Sequence, residues 1–179
     1  MKILVCYHSD EGQTAKVADR ISSVLTGSGC VVDAATADDD PSPEGYNGVV
    51  VGDSIHAGRH SKALRRWIAR HHDELDALPT ALFQVSLTSS NDDEESVAEA
   101  HRLVQRLLDT TDLEPDLVGL FAGALAYTRY GWLKRTMMSQ IARSEGGDSD
   151  TSRDYEYTDW DAVEHFATDA VALFGAAGG

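Results

Sequence analysis

The sequence predicts an α/β protein, a parallel sheet with helices on both faces. Three observations carry that expectation. Short apolar runs such as Ile3-Leu4-Val5-Cys6-Tyr7 and Gly48-Val49-Val50-Val51-Gly52 show no polar alternation, as expected of strands covered on both sides. Segments with helical spacing of their apolar residues alternate with these runs. Polar loops rich in Ser, Thr and Gly follow the runs, and the alternation of strands with helices demands parallel pairing through right-handed crossovers.

Taken in order, Ile3–Tyr7 is the first strand. The loop Ser9-Asp10-Glu11-Gly12-Gln13-Thr14 follows, and Thr14 opens a helix to Leu25, with Val17, Ile21, Val24 and Leu25 on one face. Gly27-Ser28-Gly29 stops it. Cys30–Ala35 reads as the second strand, and the acidic, proline-containing stretch Asp38–Tyr46 as a loop. Gly48–Gly52 is the third strand, and Asp53–His60 its loop. Ser61–Leu75 reads as one helix with Leu64, Trp67, Ile68 and Leu75 inward. Thr80–Leu87 is the fourth strand, followed by the polar turn Thr88-Ser89-Ser90-Asn91 and a helix over Glu95–Leu108. Leu117–Leu125 is the fifth strand, Leu133–Ala142 a short helix, Ser144–Tyr155 a loop, and Asp159–Phe174 the last helix, with Thr158 as its N-cap.

Five such strands fit one domain over 1–179, with an inserted short helix and loop at about 127–156. They also fit the sheet order 2-1-3-4-5 of flavodoxin-like three-layer sandwiches. The ligand crevice then lies at the carboxyl ends of strands one, three and four. The first of those ends is built for an anion: a hydroxyl, a glycine turn and a helix N-terminus whose free N–H groups and dipole favour negative charge. Neither G-x-x-x-x-G-K-[ST] nor G-x-G-x-x-G is present, so nucleotide-hydrolysing and dinucleotide loops are not met. A lysine-free loop for a terminal monophosphate remains, as for FMN. An ordinary strand–turn–helix with a polar cap has the same sequence, and the loop alone does not decide between the two.

Composition narrows the classes. The chain has 179 residues with 30 Asp+Glu against 15 Lys+Arg, a formal charge of −15. That charge argues against general affinity for nucleic acid and, with the scarcity of Lys, suggests adaptation to a salty cytoplasm. Cys6 and Cys30 fall in predicted buried strands and read as small hydrophobes. There is no leader pattern and no apolar run long enough to span a bilayer, so a cytoplasmic protein is expected.

The carboxyl-terminal third carries the most distinctive motifs: Ala122-Gly123-Ala124-Leu125 with Tyr127, Arg129 and Tyr130; Gly146-Gly147 with Asp150-Thr151; and Tyr157-Thr158-Asp159-Trp160. With the Gly12-Gln13-Thr14 loop and the Gly52…Ser54-Ile55 turn, they resemble the menaquinone-dependent, flavodoxin-like protoporphyrinogen IX dehydrogenase family, in the same order along nearly the whole chain. The resemblance implies FMN, a tetrapyrrole substrate and electron transfer to a quinone. It implies cofactor contacts from Ser9, Asp10, Glu11, Gly12, Gln13 and Thr14 in the first loop. The second loop would contribute Ser54, Ile55, His56, Ala57 and Gly58, and the third Ser86, Leu87, Thr88 and Ser89. His56 and Ala57 stand where members of that family often carry an aromatic.

Charge distribution adds a separate argument. Ser54–His72 and Leu117–Ser144 contain no acid, yet hold Arg59, Lys62, Arg65, Arg66 and Arg70, and Arg129, Lys134, Arg135 and Arg143. Two basic islands at the expected crevice suit an anionic partner such as a substrate's carboxylates, and solvated basic helix faces would also account for them. Arg59 and Arg129, with Tyr127, Tyr130 and Trp132 as apolar surface, are the substrate candidates. Residues 129–143 could instead touch a membrane peripherally, on its inner face, or simply pack in the core. No metal-ligand spacing and no G-x-S-x-G elbow is present. The flavin would carry the redox chemistry, so no catalytic acid–base residue is assigned. Acids of the third loop, Asp92 and Asp93, would lower its potential. An electron-carrier flavodoxin, a nicotinamide-driven quinone reductase and a flavin-free interaction module are the alternatives; a dimer is allowed by the sequence, which leaves the oligomeric state open.

Overall fold

Five parallel strands form the centre of the molecule, in the order β2-β1-β3-β4-β5. The computed structural model describes residues 1–87, 94–125, 150, 152 and 154–177. The strands are β1 (Lys2–Tyr7), β2 (Val31–Thr36), β3 (Gly48–Ser54), β4 (Thr80–Ser86) and β5 (Leu117–Ala122). The helices are α1 (Gln13–Gly27), α2 (Lys62–Arg70), α3 (His72–Asp76), α4 (Glu94–Thr111) and α5 (Trp160–Ala177). The predicted fold class and strand order are therefore observed.

The missing alternation in β1 has a direct cause. Ile3 and Val5 face a core shared with α1 and α5, where Val17, Ile21, Ala170 and Phe174 are buried. Leu4 and Cys6 face the opposite core, with Leu64, Trp67 and Ile68 of α2 and Val104 and Leu107 of α4. Both faces of the strand are therefore apolar. β2, at the sheet edge, has one neighbour only, and its Val31 is exposed. Both cysteines are buried and free, and burial pushes the Cys6 thiol up, which keeps it inert. Cys30 lies just before β2 rather than in it.

Three expectations need correction. The helix predicted over Ser61–Leu75 is two helices, broken at His71, and Ser61 caps the first by accepting a hydrogen bond from Leu64 N–H at 3.1 Å. At the break the His71 ring lies beside Trp67 and its Nε2 is 3.1 Å from Asp40 Oδ1. The strand predicted to run to Leu125 stops at Ala122. Gly123 N–H donates to Ser86 O, and the chain continues as β6 (Ala124–Leu125), antiparallel to β7 (Tyr155–Glu156). Thr158 is not the cap of the last helix. Its hydroxyl donates to Ala122 O and accepts from Gln13 Nε2, while Asp159 Oδ1 takes the N–H groups of Asp161 and Ala162. A carboxylate there also meets the positive end of the helix dipole. The helix predicted over Leu133–Ala142 and the turn Thr88–Asn91 lie outside the described residues.

A charge of −15 repels itself in dilute buffer. The melting temperature is expected to rise between low and molar salt, at constant ligand saturation, as salt screens that repulsion. A flat or falling thermal midpoint would contradict this.

Candidate cofactor site

Strands β1, β3 and β4 are neighbours, so their carboxyl ends lie side by side. The first loop turns at Gly12, whose φ of 94° is left-handed and which, as the N-cap of α1, brings no side chain to the helix start. Ser9 Oγ sits inside the turn and accepts from Gly12 N–H at 3.1 Å and Ala15 N–H at 3.3 Å. The N–H groups of Gln13 and Thr14, first on α1, meet no acceptor among the described residues. Thr14 is buried at the helix start. Gln13 points its amide away from the loop, to Thr158 Oγ1 at 2.8 Å, and so ties the loop to the end of β5.

Two carboxylates in this loop would oppose an anion, and both are engaged. His8 Nε2 lies 3.3 Å from Asp10 Oδ1 and Ser54 Oγ donates to Asp10 Oδ2 at 3.5 Å. His56 Nδ1 lies 3.9 Å from Glu11 Oε1. These contacts also join the first loop to the second. Below them, Lys16 pairs with Glu156 at 2.6 Å; that hydrogen bond holds the Glu156 carboxyl below its usual range.

The second loop is a tight hairpin. His56 and Arg59 exchange both backbone hydrogen bonds at 3.1 Å, and Ala57 and Gly58 between them have φ of 50° and 68°. Both positive angles suit that turn, though Ala57 adopts its own at some steric cost. Ile55 N–H donates to Val85 O, seating the loop against β4. His56, Ala57, Gly58 and Arg59 are exposed. Of the third loop, Ser86 is buried at the end of β4 and Leu87 follows it; Thr88 and Ser89 lie outside the described residues. So do Asp92, Asp93, Tyr127, Arg129, Tyr130 and Trp132.

Sequence reasoning missed Asp53 and His60, which are buried together at the base of the second loop. A carboxylate closing an apolar strand, followed by a histidine in an acid-free stretch, was the available signal. Among the described residues no group of three or more His, Cys, Asp or Glu could hold a metal ion, and no helix is long and apolar enough to cross a membrane.

The family model described as a flavodoxin domain matches residues 4–152. Over 175 residues the chain is 31% identical to the protoporphyrinogen IX dehydrogenase [quinone] of Escherichia coli, covering 97% of this chain and 96% of that protein. The chain belongs to the protoporphyrinogen IX dehydrogenase family of flavodoxin-domain proteins. A second family member, the enzyme of the same name from Leishmania major, is 36% identical over 176 residues, which are 96% of this chain and 75% of that one. Among solved structures, a flavodoxin from the domain Archaea superposes over 100% of both chains with a TM-score of 0.56 at 14% identity, a likeness of fold. The family is the one its carboxyl-terminal motifs resemble.

Proposed function

We propose that this flavodoxin-fold oxidoreductase binds FMN across its three loops, dehydrogenates protoporphyrinogen IX or a related reduced tetrapyrrole, and passes the electrons to a quinone. The observation that carries the reading is the first loop: a helix N-terminus whose N-cap is a glycine, two N–H groups without acceptors among the described residues, and a hydroxyl inside a glycine turn. That donor set fits a phosphate monoester. When bound, the flavin supplies the two-electron chemistry. The chain's own residues hold and orient. The N–H groups of Gln13 and Thr14, with Ser9 and Thr14, would take the phosphate; the hairpin Ser54–Gly58 and the strand end at Ser86 would flank the ring.

Thr14→Ala is the direct test. Losing one hydroxyl donor to a charged phosphate costs roughly 1.5–3 kcal/mol, so FMN affinity is expected to fall about tenfold or more. Riboflavin affinity should stay close to wild type. Equal losses with both flavins would remove the phosphate from this loop.

Substrate recognition rests on Arg59, exposed on the hairpin, and on Arg129. An arginine fork can take both oxygens of a carboxylate, and a reduced tetrapyrrole carries carboxylates around an apolar ring. Tyr127, Tyr130 and Trp132 would supply apolar surface, and a peripheral contact through 129–143 would bring the acceptor quinone within reach. Arg129→Ala and Arg59→Ala are expected to lower kcat/KM for protoporphyrinogen by about ten- to a hundredfold, from roughly 1.5–3 kcal/mol per lost charged contact. An uncharged quinone should be used as before. A parallel loss with both substrates would make the arginines structural, and an inactive wild type would favour a one-electron carrier.

A further inference from the structure

One residue before the end of β3 stands a carboxylate cut off from solvent. The side chains of Asp53 and His60 are 0% and 4% exposed, and His60 Nδ1 lies 2.9 Å from Asp53 Oδ2. Ser61 N–H donates to that same oxygen at 2.9 Å. On its far side, the ring's Nε2 lies 3.0 Å from Leu103 O of α4, which can only accept, so Nε2 carries a proton. The ring is thus pinned between the end of a strand and the main chain of a helix.

This pair is poorly explained as a stability device. Replacing a buried pair by apolar side chains is often neutral or better. Here the arrangement also leaves Asp53 Oδ1 without a donor among the described residues, and so too Gln84 Oε1 on the neighbouring strand position. Unsatisfied buried acceptors are rare, and they concentrate where position matters more than stability. What lies between the two residues is the hairpin itself: the chain leaves the sheet at Ser54, turns at Ala57-Gly58 through two positive φ angles, and returns at Arg59. Asp53 and His60 close the base of that excursion.

We propose that Asp53 and His60 are positioning residues for the second loop: the buried pair locks the His56–Arg59 hairpin in the shape that receives the flavin ring. The ring-binding part of the inference rests on the flavin reading above; the locking of the hairpin does not. It differs from the phosphate loop in its signature, because a ring contact is common to FMN and riboflavin.

The experiment compares Asp53→Ala with wild type and with Asp53→Asn, whose remaining carbonyl oxygen can still accept from Ser61 N–H. Amide hydrogen exchange of the full chain is read first, without added flavin. Asp53→Ala is expected to speed exchange at the His56 and Arg59 amides at least tenfold, with β1 and α1 amides unchanged and Asp53→Asn, which keeps only the Ser61 contact, between the two. FMN and riboflavin affinities are then expected to fall together, by about tenfold or more, in Asp53→Ala only. If Asp53→Ala does not fold, His60→Ala carries the same test, since it leaves Asp53 bonded to Ser61. Unchanged exchange in the loop, or equal acceleration everywhere, would overturn the proposal. So would a loosened hairpin with both affinities intact. A wild type that takes neither flavin would refute the flavin reading and with it the ring-binding role, while exchange would still decide whether the pair locks the hairpin.

Discussion

Phe83→Ala is expected to cost about 3–5 kcal/mol of unfolding free energy, the range for emptying a buried aromatic site. The ring is fully buried and packs 6.2 Å from Phe121 and 6.3 Å from Phe166, centroid to centroid, while Phe121 and Phe166 meet edge-on at 5.6 Å. Removing one ring takes two members' contacts from this three-ring cluster between the sheet and α5. The same ring explains Gly52, its partner in register across β3 and β4. A Cβ on Gly52 would lie 2.1 Å from Phe83 Cζ and 2.4 Å from Cε1, far inside contact. Gly52→Ala alone is therefore expected to cost about 1–3 kcal/mol or more by overpacking. Combined with Phe83→Ala it should cost little, because the obstructing ring is gone. Equilibrium unfolding in urea of the two single variants and the double variant measures the coupling. Additive losses would show that the glycine is required for another reason.

The second large effect is expected at Trp67. Trp67→Ala should cost about 3–5 kcal/mol, again from an emptied core site. The side chain is 1% exposed, and its Nε1–H donates to Pro41 O at 2.8 Å. Trp67→Phe separates the two contributions. It keeps most of the buried apolar area but leaves Pro41 O without its donor, at about 1–3 kcal/mol. The tryptophan thus fastens the loop between β2 and β3 to α2, and His71, next to its ring, reaches the same loop through Asp40. Circular dichroism followed through chemical denaturation gives both values. A Phe variant as unstable as the Ala variant would mean that the hydrogen bond outweighs the packing.

The fold was readable because its signal is local and repeated. A strand such as β1, apolar at Ile3, Leu4, Val5 and Cys6, can only lie between two covered faces, and the hydroxyl–glycine–helix order marks the crevice wherever it follows such a strand. What was not readable depends on partners distant in sequence. Nothing near His71 breaks the helical pattern of Ser61–Leu75; the break accompanies contacts with Asp40, 31 positions away. Thr158 and Asp159 are both good caps by type, and the choice between them falls to Gln13, 145 positions away, which engages the threonine. Asp53 looked like the first residue of a loop, since a carboxylate seldom ends a buried strand. Only the return of the chain at His60 gives it a partner.

The pairing of β6 with β7 has a further consequence. Leu125 and Tyr155 stand opposite one another, so the two ends of the intervening stretch meet side by side next to β5. Closing such an excursion costs free energy that grows only with the logarithm of its length, about 0.6 kcal/mol per doubling. The stretch is thus a cassette. A change in its length or sequence is expected to leave the five-stranded sheet and the first two loops in register. Grafting a relative's stretch between those two positions would transfer whatever specificity it carries onto an unaltered frame.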